Sequence, residues 1–454
     1  MARENMIKKL LIANRGEIVS RIIRTCKDLG IETVAVYSEA DRNAAFLKEA
    51  NESHFIGAAN PLKSYLNIDA VIEAGKRTGA DAVHPGYGFL SENASFAEAV
   101  KLSGMTWVGP SPKVLKMVES KCYCRHIANK VGVPVNPGTL DPIRSADEVA
   151  EFAQIHGYPL FLKLDRGGGG KGIEMIKDKG RVKEVFERVS RIGHIAFGSS
   201  DCYLEKVLFK PRHIEVQFLG DVDGHYICLG ERECSIQRRH QKIIEESPSP
   251  VVTEKDREII FGYTLRLAQA MGYQGAGTME FLRSEQGVYC FMEVNARLQV
   301  EHPVTEIITG IDIVKSQILI ASGEKLHVTQ EQVKREGHAI EARVYAEDPL
   351  SFHPSPGTIR SLRIPADLAH VRIDHALEES GTVPPFYDPL LAKVIAWGSV
   401  RSEAVNRLCA ALRAFNIEGI KTTIPTSFFI LKSREFAAGK FNTGFLQGML
   451  GEML

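Results

Sequence analysis

Little in this sequence points to a membrane, an oxidising compartment or a polyanion to bind. No apolar run approaches the ~18 residues that a bilayer crossing needs, and the opening Met1-Ala2-Arg3-Glu4-Asn5 has no apolar signal core. Acidic and basic residues balance at 56 each, so no global field draws in nucleic acid or anionic lipid. The eight cysteines, at positions 26, 122, 124, 202, 228, 234, 290 and 409, contain no C-x-x-C pair and form no extracellular framework. A cytoplasmic protein in a reducing compartment, with neither nucleic acid nor membrane as partner, is the expectation. Repeats and low-complexity segments are also missing. What remains is an ordinary globular composition, 44% hydrophobic and 25% charged, in 454 residues. At roughly 100–200 residues per domain this length predicts two to four packed units.

The chain opens with a βαβ pattern. Lys9 to Ala13 reads as a strand, residues 14–17 as a turn, and Ile18, Val19, Ile22, Ile23, Cys26 and Leu29 recur with helical spacing before a second strand, Ile31 to Tyr37. Gly16 stands alone where a dinucleotide fingerprint needs G-x-G-x-x-G, so this Rossmann-like unit reads as scaffold. A strand at Ala82 to His84 runs into Pro85-Gly86-Tyr87-Gly88-Phe89-Leu90-Ser91-Glu92-Asn93, either a loop that approaches a ligand or a structural turn. A turn-rich stretch, 133–142, precedes a segment of helix, strand and glycine loop from Ser145 to Leu208, read as a mobile subdomain. Strands are expected at Ile214 to Leu219, Tyr226 to Leu229, Gly277 to Leu282 and Val288 to Asn295, with a helix from Arg257 to Met271. Past Gly337 the pattern mixes strands, a Pro354-Ser355-Pro356-Gly357 turn and a helix from Ser402 to Phe415.

Three segments carry chemistry. A strand ending at Lys163 is followed by Gly167-Gly168-Gly169-Gly170-Lys171-Gly172. Successive glycine N–H groups can face phosphate oxygens, and lysines on both sides add charge where phosphate charge gathers. The run is not a P-loop, because G-x-x-x-x-G-K-[ST] is absent and no clear helix follows; a flexible linker is the alternative. In the second segment, Glu280 ends one apolar strand and Glu293-Val294-Asn295-Ala296-Arg297 ends another; period two puts Glu293, Asn295 and Arg297 on one face. Two carboxylates and an amide oxygen suit magnesium on nucleotide phosphates, with Arg297 for an anionic co-substrate; a solvent-facing polar strand is the alternative. The third, residues 231–242, crowds charges around Arg238-Arg239-His240-Gln241-Lys242, and a solvated loop would also account for it. Cys234 lies inside it with no adjacent base and reads as a packing residue, not a nucleophile.

NRGEI, HPGYGFLSEN, K-x-x-x-GGGGKG, PRHIE, RRHQK, EVNARLQVEHPVTE and GHAIEARVYAEDP occur in one order, and with them the chain closely resembles biotin carboxylase, the ATP-grasp component of biotin-dependent carboxylases, from about Met6 to the C-terminus. The resemblance implies an α/β ATP-grasp fold in three parts: a Rossmann-like domain (1–118), an ATP-grasp domain (119–335) whose lid spans about 135–208, and a mixed α/β C-terminal domain (336–454). It implies that ATP phosphorylates bicarbonate to carboxyphosphate, which breaks down to CO₂ and phosphate, and that deprotonated biotin is carboxylated at a ring nitrogen. Carried onto this sequence, Lys121, Lys163, Gly168, Gly169, His213, Gln237 and His240 would contact ATP, with Glu205, Lys206 and Leu208 around the adenine. Glu280, Glu293 and Asn295 would hold Mg²⁺ or Mn²⁺. Lys242, Arg297, Gln299 and the Val300 backbone would bind bicarbonate, Glu301 would deprotonate it, Arg343 would stabilise the biotin enolate and Tyr87 would line the biotin site.

Departures from the family pattern cluster at the loop, in Leu164, Asp165, Arg166, Lys171 and Glu174, with Glu233 in place of an aspartate; they bear on nucleotide affinity and lid closure. The sequence has no biotin-accepting Met-Lys-Met. Expected partners are therefore a biotin carboxyl carrier protein, a carboxyltransferase subunit that passes the carboxyl group to acetyl-CoA, another acyl-CoA or pyruvate, and a second copy of the chain as a homodimer. The rival readings are another acyl-phosphate-forming ATP-grasp ligase and a nucleotide-binding regulatory protein without catalysis.

Overall fold

The computed structural model describes residues 6–167, 172–366 and 368–453. Its first sheet is wholly parallel, in the order Glu52–Gly57, Glu32–Ser38, Lys9–Ile12, Ala82–His84 and Thr106–Trp107. Helix Glu17–Leu29 buries Ile18, Val19, Ile22, Ile23 and Cys26 in this unit's core, as their spacing requires, and stops at Gly30 in the left-handed conformation.

The centre is an eight-stranded antiparallel sheet, ordered Tyr289–Asn295, Gly275–Arg283, Arg212–Gly220, Tyr226–Arg238, Gln241–Ser247, His338–Tyr345, Leu390–Gly398 and Val371–His375. It runs unbroken across residue 335, because Gln241–Ser247 pairs with His338–Tyr345. Helix Glu254–Met271, started by a Thr253/Asp256 capping box, shares a core with Phe218, Cys228 and Phe281 of this sheet.

The strand expected at Tyr226 to Leu229 is longer than its apolar run, reaching Arg238, and the charged stretch 231–242 is a buried hairpin, not a solvated loop. Its charges are neutralised inside the protein: Glu231 pairs with Arg257, Arg232 with Glu215 and Glu233 with Arg212. Hydropathy alone cannot register partners 17 to 26 positions away. The two-residue turn, Arg239-His240, has φ of 47° and 68°. Glycine or asparagine usually occupies such positions, so two large side chains there mark strain of the kind found at ligand sites.

Residues 143–206 form a satellite body with its own core: a sheet of Ile173–Ile176, Leu160–Leu164 and Cys202–Lys206 packed by helices Ala146–His156 and Val182–Phe197. The unusual residues beside the glycine run have local work to do. Leu164 packs so closely under Gly172 that a Cβ there would meet its Cδ1 at 2.2 Å. Asp165 Oδ1 accepts the Cys122 N–H at 2.7 Å and the Ser120 hydroxyl at 3.0 Å, capping helix Lys121–Lys130. Glu174 pairs with Arg188 at 2.5 Å. Lys171 lies outside the described residues.

Candidate active site

Antiparallel register sets Glu293, Glu280, Glu215 and Arg232 directly opposite one another across four adjacent strands. Like charges facing across strands repel, so this row demands cations. Arg232, fully buried, pairs with Glu215 and donates to Gln217 (2.8 Å), Thr305 (2.9 Å) and Thr278 (3.1 Å). From the neighbouring strand Lys242 extends its ammonium among three carboxylates: Glu215 at 2.5 Å, Glu301 at 2.6 Å and Glu280 at 3.0 Å. Burial lowers the Lys242 pKa, but these three outweigh it and hold the ammonium charged well beyond its ordinary range.

Glu301, at the N-terminus of helix His302–Thr309, has no solvent exposure. Its Oε1 accepts from Lys242 and its Oε2 from Arg343 Nη2 at 2.9 Å. Burial alone would neutralise this carboxyl; Lys242 and Arg343 override it and keep the group ionised well below the usual carboxylate range. Cys234 Sγ approaches the same carboxylate at 4.0 Å, and burial beside Glu215 and Glu301 pushes the thiol well up. The packing role read from the sequence matches this setting, since a thiolate there would be a further buried anion.

Arg343 Nε donates to Glu245 at 2.6 Å. Burial pushes the Glu245 carboxyl up to about 7 against the pull of Arg343. The native protein then holds this proton more tightly than the unfolded chain, whose carboxyl titrates near 4.5, so this group's contribution to stability falls as pH rises from 4.5 to about 7. Glu245→Gln is expected to flatten the pH dependence of the urea midpoint across that window; an unchanged slope would assign it to another group.

Arg297 fans out to three side-chain acceptors, Glu92 (2.9 Å), Asn295 Oδ1 (2.9 Å) and Gln299 Oε1 (3.0 Å), and to the Leu298 carbonyl (3.2 Å), and buried Gln299 Nε2 is left without a protein partner. An arginine beside an unspent buried amide donor suits a small anion. Loop 85–93 supplies Glu92 and Tyr87 to this side of the site. Tyr87 donates to Glu17, and buried Lys393 ties Glu17 (3.0 Å) to the Val300 carbonyl (3.0 Å).

The expected nucleotide residues gather beside this network. His213 donates to Glu280 at 2.8 Å, and burial, which lowers its pKa, is outweighed by that carboxylate, so the pKa is raised. Gln237 Nε2 reaches His213 Nδ1 at 3.5 Å, and His240 occupies the strained turn. Lys121 donates to the Gly167 carbonyl at the mouth of the glycine run and lies 3.5 Å from Glu293. Lys163 pairs with Glu205 at 2.6 Å, and Glu205 also takes Arg125 at 2.9 Å, so the Glu205 carboxylate is spent on the protein. Lys206 turns its ammonium to the Gly157 and Tyr158 carbonyls, and Leu208 follows that strand, half-buried. Gly168 and Gly169 lie outside the described residues.

Glu280 and Glu293 face each other, with Asn295 two residues along the same strand, a set of hard oxygen donors that fits Mg²⁺ or Mn²⁺. Lys242 and His213 already engage Glu280, and against the effect of burial they hold it ionised far below its ordinary range, as a metal ligand must be. His213, Glu215 and Glu280 also converge within 4.8 Å of one another.

Sequence reasoning missed Glu215, Arg232, Glu92, Glu245, Glu17 and Lys393. Glu215 was within reach, because period two puts it on the face of His213; the others take their roles from partners distant in sequence.

The fold and this site define an ATP-grasp enzyme built to activate a small carboxylate. The description "Biotin carboxylase, N-terminal domain" matches residues 6–115, "Carbamoyl-phosphate synthase L chain, ATP binding domain" residues 120–329, and "Biotin carboxylase C-terminal domain" residues 341–448. Biotin carboxylase 2 of Bacillus subtilis is 46% identical over 442 residues, covering 97% of this chain and 99% of its own. A pyruvate carboxylase subunit of Methanothermobacter thermautotrophicus is 45% identical, covering 97% and 90%. The biotin carboxylase domain dimer of Hydrogenobacter thermophilus 2-oxoglutarate carboxylase, solved with MgADP, ADP and bicarbonate, superposes with a TM-score of 0.95 at 44% identity over 98% of both chains. The chain belongs to the biotin carboxylase family.

Proposed function

We propose that Glu301 is the base, and Lys242, Arg297, Gln299, Val300 and Arg343 the anion-handling groups, with which this enzyme carboxylates biotin at the expense of ATP. The observation that carries this reading is a solvent-free carboxylate kept ionised between Lys242 and Arg343. Glu301 takes the bicarbonate proton, the freed oxygen attacks the γ-phosphorus, and ADP leaves as carboxyphosphate forms. Carboxyphosphate splits into CO₂ and phosphate; the phosphate takes the biotin N–H proton, and the ring nitrogen attacks CO₂ while Arg343 steadies charge on the ureido oxygen. Lys121, Lys163, His213, Gln237 and His240 hold the nucleotide under the glycine lid, with Gly168 and Gly169 as phosphate donors and Glu205, Lys206 and Leu208 around the adenine. Glu280, Glu293 and Asn295 would hold magnesium or manganese, which when bound neutralises nucleotide phosphate charge. Tyr87 lines the biotin approach.

Division at 118/119 and 335/336 into Rossmann-like, ATP-grasp and C-terminal parts is supported by the three matched ranges, and the separate core of the satellite body supports a lid at about 135–208. Biotin on a carrier protein, a separate carboxyltransferase and a homodimer are the proposed partners. Relatives named as subunits of pyruvate and 2-oxoglutarate carboxylases support a multi-subunit assembly and add an oxo acid to the acceptors expected from the sequence. No helix among the described residues is long and apolar enough to cross a membrane.

The test is Arg343→Ala, assayed with and without free biotin. Biotin carboxylation is expected to fall about 10²-fold or more, by the scale of losing one oxyanion donor, and bicarbonate-dependent ATP cleavage without biotin by much less. Equal losses in both assays would remove the enolate role. Biotin-stimulated, bicarbonate-dependent ADP release by the unaltered enzyme separates this reading from other acyl-phosphate ligases.

A further inference from the structure

On the far side of the site, where strands Arg212–Gly220 and Gly275–Arg283 end side by side, lies an open cavity of about 330 Å³ that the mechanism does not use. Lys210, Arg212, Arg283 and Lys440 surround it, against one carboxylate, Glu285. In a chain of zero formal net charge this is a strong local excess of positive charge. Among the described residues, Lys210, Arg283 and Lys440 have no carboxylate within ion-pair distance, so their charges are not cancelled within the cavity wall. Arg283 lies against the Tyr289 ring and donates only its Nε, to the Tyr289 hydroxyl at 3.1 Å, so its two terminal nitrogens are unspent. Arg212 is 9% exposed, stacks 4.4 Å above the Phe441 ring and forms the floor. Lys210 holds φ of 45°, a conformation that costs a side-chain-bearing residue energy and here turns the chain at the cavity rim.

We propose that this cavity is a second anion site, taking a small phosphate-bearing polyanion distinct from the nucleotide of the catalytic centre. A guanidinium with two free terminal nitrogens suits a phosphoryl group, and flanking ammonium groups add charge without demanding one geometry. The site connects to the catalytic strand. Arg212 Nη1 donates to Glu233 at 3.0 Å; Glu233 accepts from Ser235, whose hydroxyl oxygen takes the backbone N–H of His213 at 2.9 Å. His213 then donates to Glu280. Arg212 Nη2 also donates to the Gly439 carbonyl, so an anion in the cavity acts on the strand that presents His213 only by drawing Arg212 from Glu233 or from that carbonyl. Glu233, a departure from the family's aspartate, is the link between the two faces.

Inorganic pyrophosphate is the probe, titrated calorimetrically into the full chain with its catalytic site saturated by MgADP. One further site per chain is expected. Arg283→Ala with Lys440→Ala should weaken it at least about tenfold, the scale of a lost charge-assisted hydrogen bond. Lys440→Ala alone, at an exposed position, should weaken it less, while MgADP affinity is unchanged in both. Failure to bind beside MgADP, equal affinity in the variants, or several weak sites indifferent to the substitutions would each overturn the proposal. None of these outcomes bears on the role of Glu301.

Discussion

Replacing Glu301 with glutamine is expected to slow bicarbonate-dependent ATP turnover by about 10²–10⁴-fold, the scale of general-base catalysis, while MgADP affinity stays within a few fold. Glutamine keeps the shape of the side chain and removes its basicity. Nothing else in reach substitutes easily: Glu280 is held by His213 and Lys242, and Glu215 by Arg232 and Lys242. Glutamine has no carboxyl to ionise, so raising the pH from 6 to 8 is not expected to restore the variant. The substitution also leaves two buried cations sharing one carboxylate fewer, so a fall in thermal stability accompanies the loss of rate. Steady-state ADP release with and without bicarbonate, beside nucleotide titration, checks this; wild-type turnover in the variant would sink the base assignment.

Arg232→Met is expected to cost stability outright, about 3–5 kcal/mol, the scale for breaking a buried ion pair from one side. Methionine fills much of the volume but leaves Glu215 opposite Glu280 with Lys242 as the remaining cation between them, and strips Gln217, Thr278 and Thr305 of their shared donor. Arg232 touches no proposed substrate position. Its loss should therefore show in the urea midpoint before it shows in KM for ATP. A change under about 1 kcal/mol would mean that Lys242 and water can neutralise the row without it.

The contrast between these residues reflects how each is encoded. Glu301 takes its proposed role from the family resemblance; read locally, Val300-Glu301-His302-Pro303 offers one more carboxylate that a helix cap or a surface salt bridge would equally explain. Arg232 sits in a charged run for which a solvated loop would also account on sequence. Burial reverses that reading, because Glu215, Thr278 and Thr305 arrive from separate elements, and no periodicity within residues 231–242 records their approach. The same holds for the loop departures: in one dimension Asp165 is an intrusion among phosphate ligands, yet its side chain caps a helix 43 positions upstream.

By itself the sequence determined the opening βαβ unit, four of the eight strands of the central sheet, the family and its reaction, since apolar period and contiguous motifs are local quantities that survive in one dimension. Tertiary structure alone decided which charges neutralise which. Lys242 among three carboxylates, Glu301 between Lys242 and Arg343, and Glu92 on Arg297 are pairings between 27 and 205 residues apart. Whether a buried carboxyl is a base, an acid or a metal ligand depends on its distance to such partners, and that distance exists only once the antiparallel register has set the strands side by side.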